Sequence, residues 1–209
     1  GLVGSEMCIR DSFDLMDALS TQEKLMPHLH LSIQHGNDLI LKRMKRRHLA
    51  RDVVRFVEQA RKNRPGIVLG ADFISGFPTE NCEAHLSSLK LINDLEICWG
   101  HIFPYSPRNG SPAAKMPQIE SKLRKDRAKE LRMACNKNSK SWMKSQVGSI
   151  ANVLMESGNS GRCEYFSTVK TNSIFQRGTI QKLKINKMNH DSLQGVSIEN
   201  HQKEIYELV

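Results

Sequence analysis

Apolar and polar residues form patterns along the first 146 residues that switch repeatedly between strand and helix. Residues 27–34 (PHLHLSIQ) alternate strictly, and residues 67–75 form an apolar, β-branched run typical of a buried strand. The predicted elements are strands at 27–34, 67–75 and 99–105 and helices at 38–45, 50–64, 80–95 and 119–146, the third helix capped by Thr79. This order favours parallel βαβ units. Three strands cannot close a barrel, so the region is predicted to be part of a larger α/β domain.

The pattern changes after Gly148 to short strands separated by glycine-containing turns. The strands are predicted at residues 150–156, 162–170, 179–187 and 196–199. Several short strands with no helix between them are typical of a small all-β barrel. The sequence therefore predicts an α/β region followed by a small barrel.

The chain carries a formal net charge of +9, and the excess lies in two blocks. Residues 41–64 hold ten basic and two acidic groups, and residues 115–146 hold ten basic and three acidic groups. Such blocks attract polyanions, so nucleic acid is a predicted partner. The alternative is that both blocks are solvated helix faces of a basic protein.

Several classes of protein are excluded by other features of the sequence. No apolar run reaches the ~18 residues of a membrane-spanning helix, and the N-terminus lacks a secretory signal pattern, so no membrane partner is predicted. The five cysteines form no C-x-x-C pair; they are Cys8, Cys82, Cys98, Cys135 and Cys163. This argues against a zinc site or a disulfide framework and favours a cytoplasmic location.

Polar side chains fall on one face of each predicted strand. The polar face of the first strand carries His28, His30, Ser32 and Gln34. It must line a wet lumen or a ligand site, because burying unpaired polar groups is costly. The sequence places no third metal ligand beside His28 and His30, so hydrogen-bonded histidines are predicted there and no metal.

The other two strands carry further candidates. Asp72 is the lone charge in its strand and is either ion-paired or a site residue. In the third strand Phe103 and Tyr105 share a face with His101, and they either stack on a base or fill core. Ligand sites of parallel α/β domains lie beyond the carboxyl ends of strands. Residues 34–36, 75–80 and 104–108 occupy those positions.

Three ordered motifs resemble one family. His28–His48 (HLHLSIQHGNDLILKRMKRRH) resembles the fourth barrel strand and following helix of the radical S-adenosylmethionine methylthiotransferases of tRNA. Gly70–Glu80 (GADFISGFPTE) and His101–Ala113 (HIFPYSPRNGSPA) resemble later segments of the same proteins, and residues 149–199 resemble their RNA-binding TRAM barrel. The motifs are most similar to the type that methylthiolates C2 of threonylcarbamoyladenosine beside the anticodon. The isopentenyladenosine type comes second.

The resemblance implies a fold and a domain order. Residues 13–146 are expected to form the C-terminal half of a partial TIM-type (β/α) radical S-adenosylmethionine barrel, 147–199 a TRAM-like β-barrel, and 200–209 a tail. Residues 1–12 resemble a translated sequencing adaptor. We therefore expect an artefactual leader there and a missing upstream half.

The resemblance also implies cofactors, partners and roles. S-adenosylmethionine and two [4Fe–4S] clusters are expected in the intact enzyme, but the cysteine sets for both clusters are absent from this sequence, so the chain alone is expected to be inactive and to ligate no metal. The implied partners are tRNA and a sulfur donor, and the full-length enzyme is expected to be a monomer. The residues expected at the cofactor are Ser32, Gln34, Arg46, Asp72, Ile74, Gly76, Phe103 and Tyr105. Those expected at RNA are Arg108, Arg124, Lys125, Arg127 and Arg162. The alternative is a non-catalytic RNA-binding module.

Overall fold

The structure is a computed structural model that describes residues 13–198. The chain divides into two compact units between Ser139 and Lys140. The predicted domain boundary, after residue 146, falls later, just beyond the end of the helix in which this division lies. The predicted leader and tail, residues 1–12 and 200–209, lie outside the described residues. Among the described residues, no helix combines the length and apolar character needed to cross a bilayer.

Unit one, the part up to Ser139, is a three-stranded parallel sheet with helices packed against it. Its elements are α1 (Phe13–Thr21), β1 (His28–Gln34), α2 (Asp38–Arg43), α3 (Ala50–Asn63), β2 (Val68–Ser75), α4 (Cys82–Asp94), β3 (Trp99–Pro104), a 3₁₀ turn (Pro112–Lys115) and α5 (Ser121–Ser145), which ends in unit two. The strands lie in the order β1-β2-β3, and both pairs are parallel. The three predicted strands and their parallel arrangement are confirmed.

One face of the sheet forms the main core of unit one. Ile33, Leu69 and Phe73 project from this face and are almost fully buried. Residues of α3, α4 and α5 cover them, with Val57, Ile92 and Leu131 in the same cluster. Burial of an aliphatic or aromatic side chain stabilises the fold by about 1.5–3 kcal/mol. The apolar residues of each strand therefore determine which face lies under the helices. The opposite, polar face is left to line a site.

Two local features of unit one differ from the prediction. Helix α1 was not predicted, because its nine residues are too short for a clear period; Leu19 anchors it against Ala60 and Ile67. Thr79 does not cap α4. Asn81 does, since its side chain accepts a hydrogen bond from the amide of Ala84 at 2.8 Å.

Unit two, from Lys140 onward, contains a closed five-stranded barrel. Its strands are β4 (Ile150–Ser157), β5 (Ser160–Cys163), β6 (Thr168–Thr171), β7 (Ile180–Met188) and β8 (Leu193–Ser197), in the order β4-β5-β6-β8-β7. Alternate residues point inward, and Val153, Val169, Leu183 and Ile185 are fully buried. The predicted all-β barrel is confirmed.

The strand predicted at residues 162–170 is wrong in detail. The chain turns back between β5 and β6, which pair antiparallel. Phe166 occupies the turn with a φ of 69°, a left-handed conformation that glycine or asparagine normally supplies. Without either residue the sequence shows no turn signal there. The last strand also begins earlier than predicted, at Leu193.

Candidate functional site

A cavity of about 620 Å³ lies at the carboxyl ends of the sheet strands of unit one. It is lined by Gln34, Asp72, Ile74, Phe103, Pro104, Tyr105, Ser106, Arg108, Ser111 and Ala113. This volume is within the usual range for small-molecule sites, which is roughly 300–1,000 Å³. Residues at the carboxyl ends of all three strands therefore meet around one space. Of the positions predicted there, residues 34–36 and 104–108 contribute to the lining, whereas β2 contributes Asp72 and Ile74 and not residues 75–80.

Gln34 ends β1 in a conformation that is costly for its residue type. Its φ is 71°, and the residue is buried. A non-glycine residue held in this region costs on the order of 1–3 kcal/mol and is often found at ligand sites. The turn thus holds the Gln34 amide at the cavity wall.

Three residues predicted at the cofactor do not line this cavity. Ser32 is half-buried within β1. Arg46 is also half-buried, and burial lowers the pKa of its guanidinium. Gly76 donates its backbone N–H to Glu80 Oε2 at 2.8 Å. The space beside its Cα is filled by the Arg124 side chain, which a Cβ would overlap.

A buried network around Glu80 joins the turns that follow β1 and β2 to α5. Glu80 and His35 are each 1% exposed, with Glu80 Oε2 at 3.0 Å from His35 Nε2. Glu80 Oε1 accepts a hydrogen bond from Arg127 Nη1 at 2.9 Å. Burial would raise the pKa of Glu80, but the hydrogen bonds from His35 and Gly76 and the charge of Arg127 hold it below its ordinary value. The carboxylate is therefore charged and anchors three segments of unit one.

The backbone fixes the tautomer of His35. Asn37 donates its N–H to His35 Nδ1 at 3.0 Å, so Nδ1 is unprotonated and Nε2 carries the hydrogen that Glu80 accepts. Sequence analysis missed this network. The sequence shows a histidine, His35, just after the first strand and an acidic residue, Glu80, in the FPTE segment. Because the two are 45 residues apart, only the folded structure shows that they pair.

The predicted RNA-contacting residues occupy different environments. Arg108 lines the cavity, and Lys125 is exposed on α5. Arg124 donates to the carbonyl oxygen of Tyr105 at 2.6 Å, and Arg127 is buried against Glu80. In unit two, Arg162 lies 4.4 Å from the Phe166 ring centroid. Arg124 and Arg127 thus use their guanidinium groups mainly inside the protein.

Three polar side chains meet on the face of the sheet opposite the main core. Asp72 Oδ1 lies 2.9 Å from His30 Nε2 and 3.2 Å from His101 Nδ1. The centroids of the two imidazole rings are 4.5 Å apart. Nearby, burial and then the charge of His30 lower the pKa of His28 to about 4, so His28 is neutral at pH 7. Asp72 is therefore hydrogen-bonded to two histidines and also lines the cavity, so it is a partnered residue of β2 and a candidate site residue at the same time.

The cavity fits a nucleoside-sized cofactor. Gln34 and Asp72 offer an amide and a carboxylate, while Ile74 and Phe103 offer apolar surface to a flat ring. The described cysteines do not fit an iron–sulfur cluster, which requires several thiolates at one place. Burial raises the pKa of both Cys98 and Cys135 to about 12, and Cys163 lies in the separate barrel core.

We expect these thiols to differ sharply in reactivity. Cys82 is exposed, whereas Cys98, Cys135 and Cys163 are buried. Because the thiolate is the reactive form, the folded chain in a Cys8→Ser background should react rapidly with one equivalent of a disulfide reagent, at Cys82. In urea all four thiols should react. Rapid labelling of Cys98 or Cys135 in the folded chain would contradict this packing.

Comparison with known proteins identifies the fold first. Coproporphyrinogen III oxidase from Escherichia coli, described as a radical SAM enzyme, matches 90% of this chain and 49% of its own, with a TM-score of 0.52 and 12% sequence identity. This likeness shows the fold alone. The chain is thus a mixed α/β protein with the strand and helix arrangement of part of a radical SAM enzyme, together with a small β-barrel.

Sequence relatives match the chain at higher identity. Threonylcarbamoyladenosine tRNA methylthiotransferase MtaB of Rickettsia prowazekii is 41% identical over 172 residues, which are 82% of this chain and 41% of the relative. The tRNA-2-methylthio-N(6)-dimethylallyladenosine synthase of Ruegeria sp. (strain TM1040) is 34% identical over 193 residues, which are 89% of this chain and 44% of the relative. The resemblance that the motifs predicted is therefore confirmed, because relatives of both methylthiotransferase types match most of this chain.

The chain spans about two fifths of the length of these relatives. No family model matches it.

Proposed function

We propose that this chain forms the cofactor wall and RNA-binding part of a cytoplasmic tRNA methylthiotransferase that modifies C2 of threonylcarbamoyladenosine beside the anticodon. One observation carries the proposal: a polar and apolar cavity at the ends of three parallel strands, in a chain 41% identical to a relative of that name. The dimethylallyladenosine type is the second candidate, favoured by a 34% identical relative of that name.

S-adenosylmethionine, when bound, supplies radical chemistry and a methyl group. The residues of this chain would bind and orient it. Gln34 and Asp72 offer hydrogen bonds to ribose and amino-acid groups, and Ile74 and Phe103 offer apolar contact to adenine. Tyr105 packs edge-on against Phe77, which holds its ring at the wall. Ser32 and Arg46 would act from beside the cavity, Arg46 through a bidentate bond to a carboxylate.

Because the described cysteines do not fit a cluster, we expect the chain alone to bind S-adenosylmethionine and tRNA without turnover. A sulfur donor would be the other partner of the complete enzyme, which we expect to be a monomer. The printed sequence holds no C-x-x-x-C-x-x-C set. A chain that binds tRNA but not S-adenosylmethionine would instead support the non-catalytic RNA-binding alternative.

Exposed basic side chains would hold the tRNA backbone. Lys122, Lys125 and Lys129 are exposed on α5, and Arg162 is half-buried on the barrel of unit two, with its side chain 40% exposed. Phosphate contacts from such groups release counterions and make affinity salt-dependent. RNA recognition of this kind depends on shape and backbone more than on base readout.

Calorimetric titration of S-adenosylmethionine into the chain tests the cofactor wall. A Gln34→Ala/Arg46→Ala variant should bind at least about 10-fold more weakly, because it loses an amide and a charged hydrogen-bonding group. The matched control is Gln59→Ala/Arg47→Ala, which removes the same groups from exposed positions. Equal affinities in both variants would contradict the assigned roles.

A tRNA titration at several salt concentrations tests the RNA surface of the same chain. Lys122→Ala/Lys125→Ala should reduce the salt dependence by about one to two units of log K per log salt. Lys90→Ala removes one charge that is already paired with Asp94 at 2.5 Å and should have little effect. An unchanged slope in the double variant would contradict the proposed contacts.

A further inference from the structure

His30, Asp72 and His101 form a compact group with one side chain from each strand of the sheet. Within the described residues, they are the group of three or more histidine, cysteine or acidic side chains whose ligand atoms all lie within 4.8 Å of one another. Two imidazole nitrogens and one carboxylate oxygen form a common donor set for Zn²⁺ and for non-haem Fe²⁺.

The strand register brings these residues together. His30 pairs with Gly70 across β1 and β2, and Asp72 pairs with His101 across β2 and β3. A Cβ on Gly70 would lie 2.5 Å from His30 Nδ1, so the glycine leaves the space that the imidazole needs. The sequence shows only an H-x-H pair, since the other two ligands lie about 40 and 70 residues further along.

The spacing of the donor atoms suits a metal ion. With metal–ligand distances near 2.0–2.1 Å, adjacent ligand atoms are separated by roughly 2.8–3.0 Å in octahedral geometry and roughly 3.3–3.4 Å in tetrahedral geometry. Asp72 Oδ1 lies 2.9 Å from His30 Nε2 and 3.2 Å from His101 Nδ1. The two histidine nitrogens lie within 4.8 Å of one another. An ion bonded to all three atoms would draw these nitrogens towards the spacing that Asp72 already has with each of them.

The group is also accessible. The His101 side chain is 64% exposed and that of Asp72 is 27% exposed. Asp72 lines the 620 Å³ cavity as well, so the group borders that space. Three protein ligands leave at least one coordination position open to water, which is the arrangement of reactive rather than purely structural metal sites.

We propose that His30, Asp72 and His101 bind one divalent first-row transition metal ion, Zn²⁺ or Fe²⁺, with an open coordination position beside the cavity. This site is separate from any iron–sulfur cluster because it uses no cysteine. The ion would take the place of the hydrogen bonds that now connect the two rings to Asp72. The metal-site proposal does not depend on the proposed function, since the three ligands belong to this chain.

Metal binding is tested on the full chain without a histidine tag. Titration with Co²⁺ should produce visible d–d absorption that saturates at one ion per chain. Zn²⁺ and Fe²⁺, each titrated separately in competition with bound Co²⁺, then show which ion binds more tightly. His30→Ala, Asp72→Ala and His101→Ala should each weaken Co²⁺ and Zn²⁺ binding by about 100-fold or more, since loss of even an outer-shell partner costs 10–100-fold. Gly70→Ala should weaken binding by displacing His30.

The matched control is His190→Ala. His190 Nδ1 lies 2.8 Å from Asp191 in an exposed pair, so it tests binding by a surface histidine beside a carboxylate. It should leave affinity unchanged. No Co²⁺ spectrum in the wild-type chain, or an equal loss of affinity in His190→Ala and His101→Ala, would overturn the proposal. Circular dichroism of each variant separates loss of the site from loss of the fold, and S-adenosylmethionine titration of His101→Ala separates this result from the cofactor proposal.

Discussion

Replacing Glu80 by glutamine should destabilise unit one by about 4 kcal/mol, because it leaves the buried charge of Arg127 without its partner. The Glu80 carboxylate accepts hydrogen bonds from the Gly76 amide and from Arg127 Nη1, and lies 3.0 Å from His35 Nε2. Glutamine has one acceptor oxygen, and its NH₂ group would face a donor. We expect urea unfolding at a lower midpoint, followed by Trp99 fluorescence in a Trp142→Phe background.

Glu96→Gln is the control for this change. Glu96 also pairs with an arginine, Arg61, at 3.1 Å, but its side chain is 73% exposed. Exposed pairs contribute roughly 0–1 kcal/mol, so this variant should be close to wild type. Similar losses of unfolding free energy in both variants would show that the cost of removing the carboxylate does not depend on its burial.

The effect of Glu80 also has a pH signature. Its pKa is lower in the folded chain than its ordinary value, so the unfolded chain binds more protons as pH falls below about 4.5. The stabilisation is complete above that pH and is lost as pH falls through the lowered pKa. The stability difference between wild type and Glu80→Gln should therefore shrink on acidification. A difference that stays constant to low pH would contradict the assigned charge.

Local patterns in the sequence predicted most of the elements. Alternation placed Ile33 on the core face of β1 and His30 on the opposite face, and both positions are confirmed. Turn chemistry was less informative where unusual residues take left-handed conformations. Phe166 does so between β5 and β6, and Thr79 does so before α4, where Asn81 provides the cap.

Contacts between distant segments could not be predicted. Parallel strands with the same alternation can pair in several registers, so the meeting of His30, Asp72 and His101 depends on a register that the sequence does not specify. The Glu80–Arg127 pair likewise joins the turn between β2 and α4 to α5. The sequence does not distinguish one basic residue of α5 from another. Packing in the folded chain buries Arg127 and leaves Lys125 exposed.

Gly161→Ala should destabilise the barrel of unit two by about 3 kcal/mol, because the added methyl group meets backbone rather than a movable side chain. A Cβ at Gly161 would overlap the Leu154 carbonyl oxygen and lie 2.9 Å from the Met155 Cα. These atoms belong to β4, which pairs with β5 at this position. Relief would require the two strands to separate, at the expense of the hydrogen bonds between them.

The measurement uses Trp142, which packs 5.5 Å from Tyr165 and so reports on the barrel. In a Trp99→Phe background, urea unfolding of Gly161→Ala should show a lower midpoint, with little change in the slope. Gly158→Ala is the matched control in the same hairpin. Its Cβ would meet the Ile174 methyl group at an ordinary 3.4 Å, so it should be nearly neutral. If both alanine variants unfold like wild type, the close approach of β4 and β5 at Gly161 is not a constraint on this barrel.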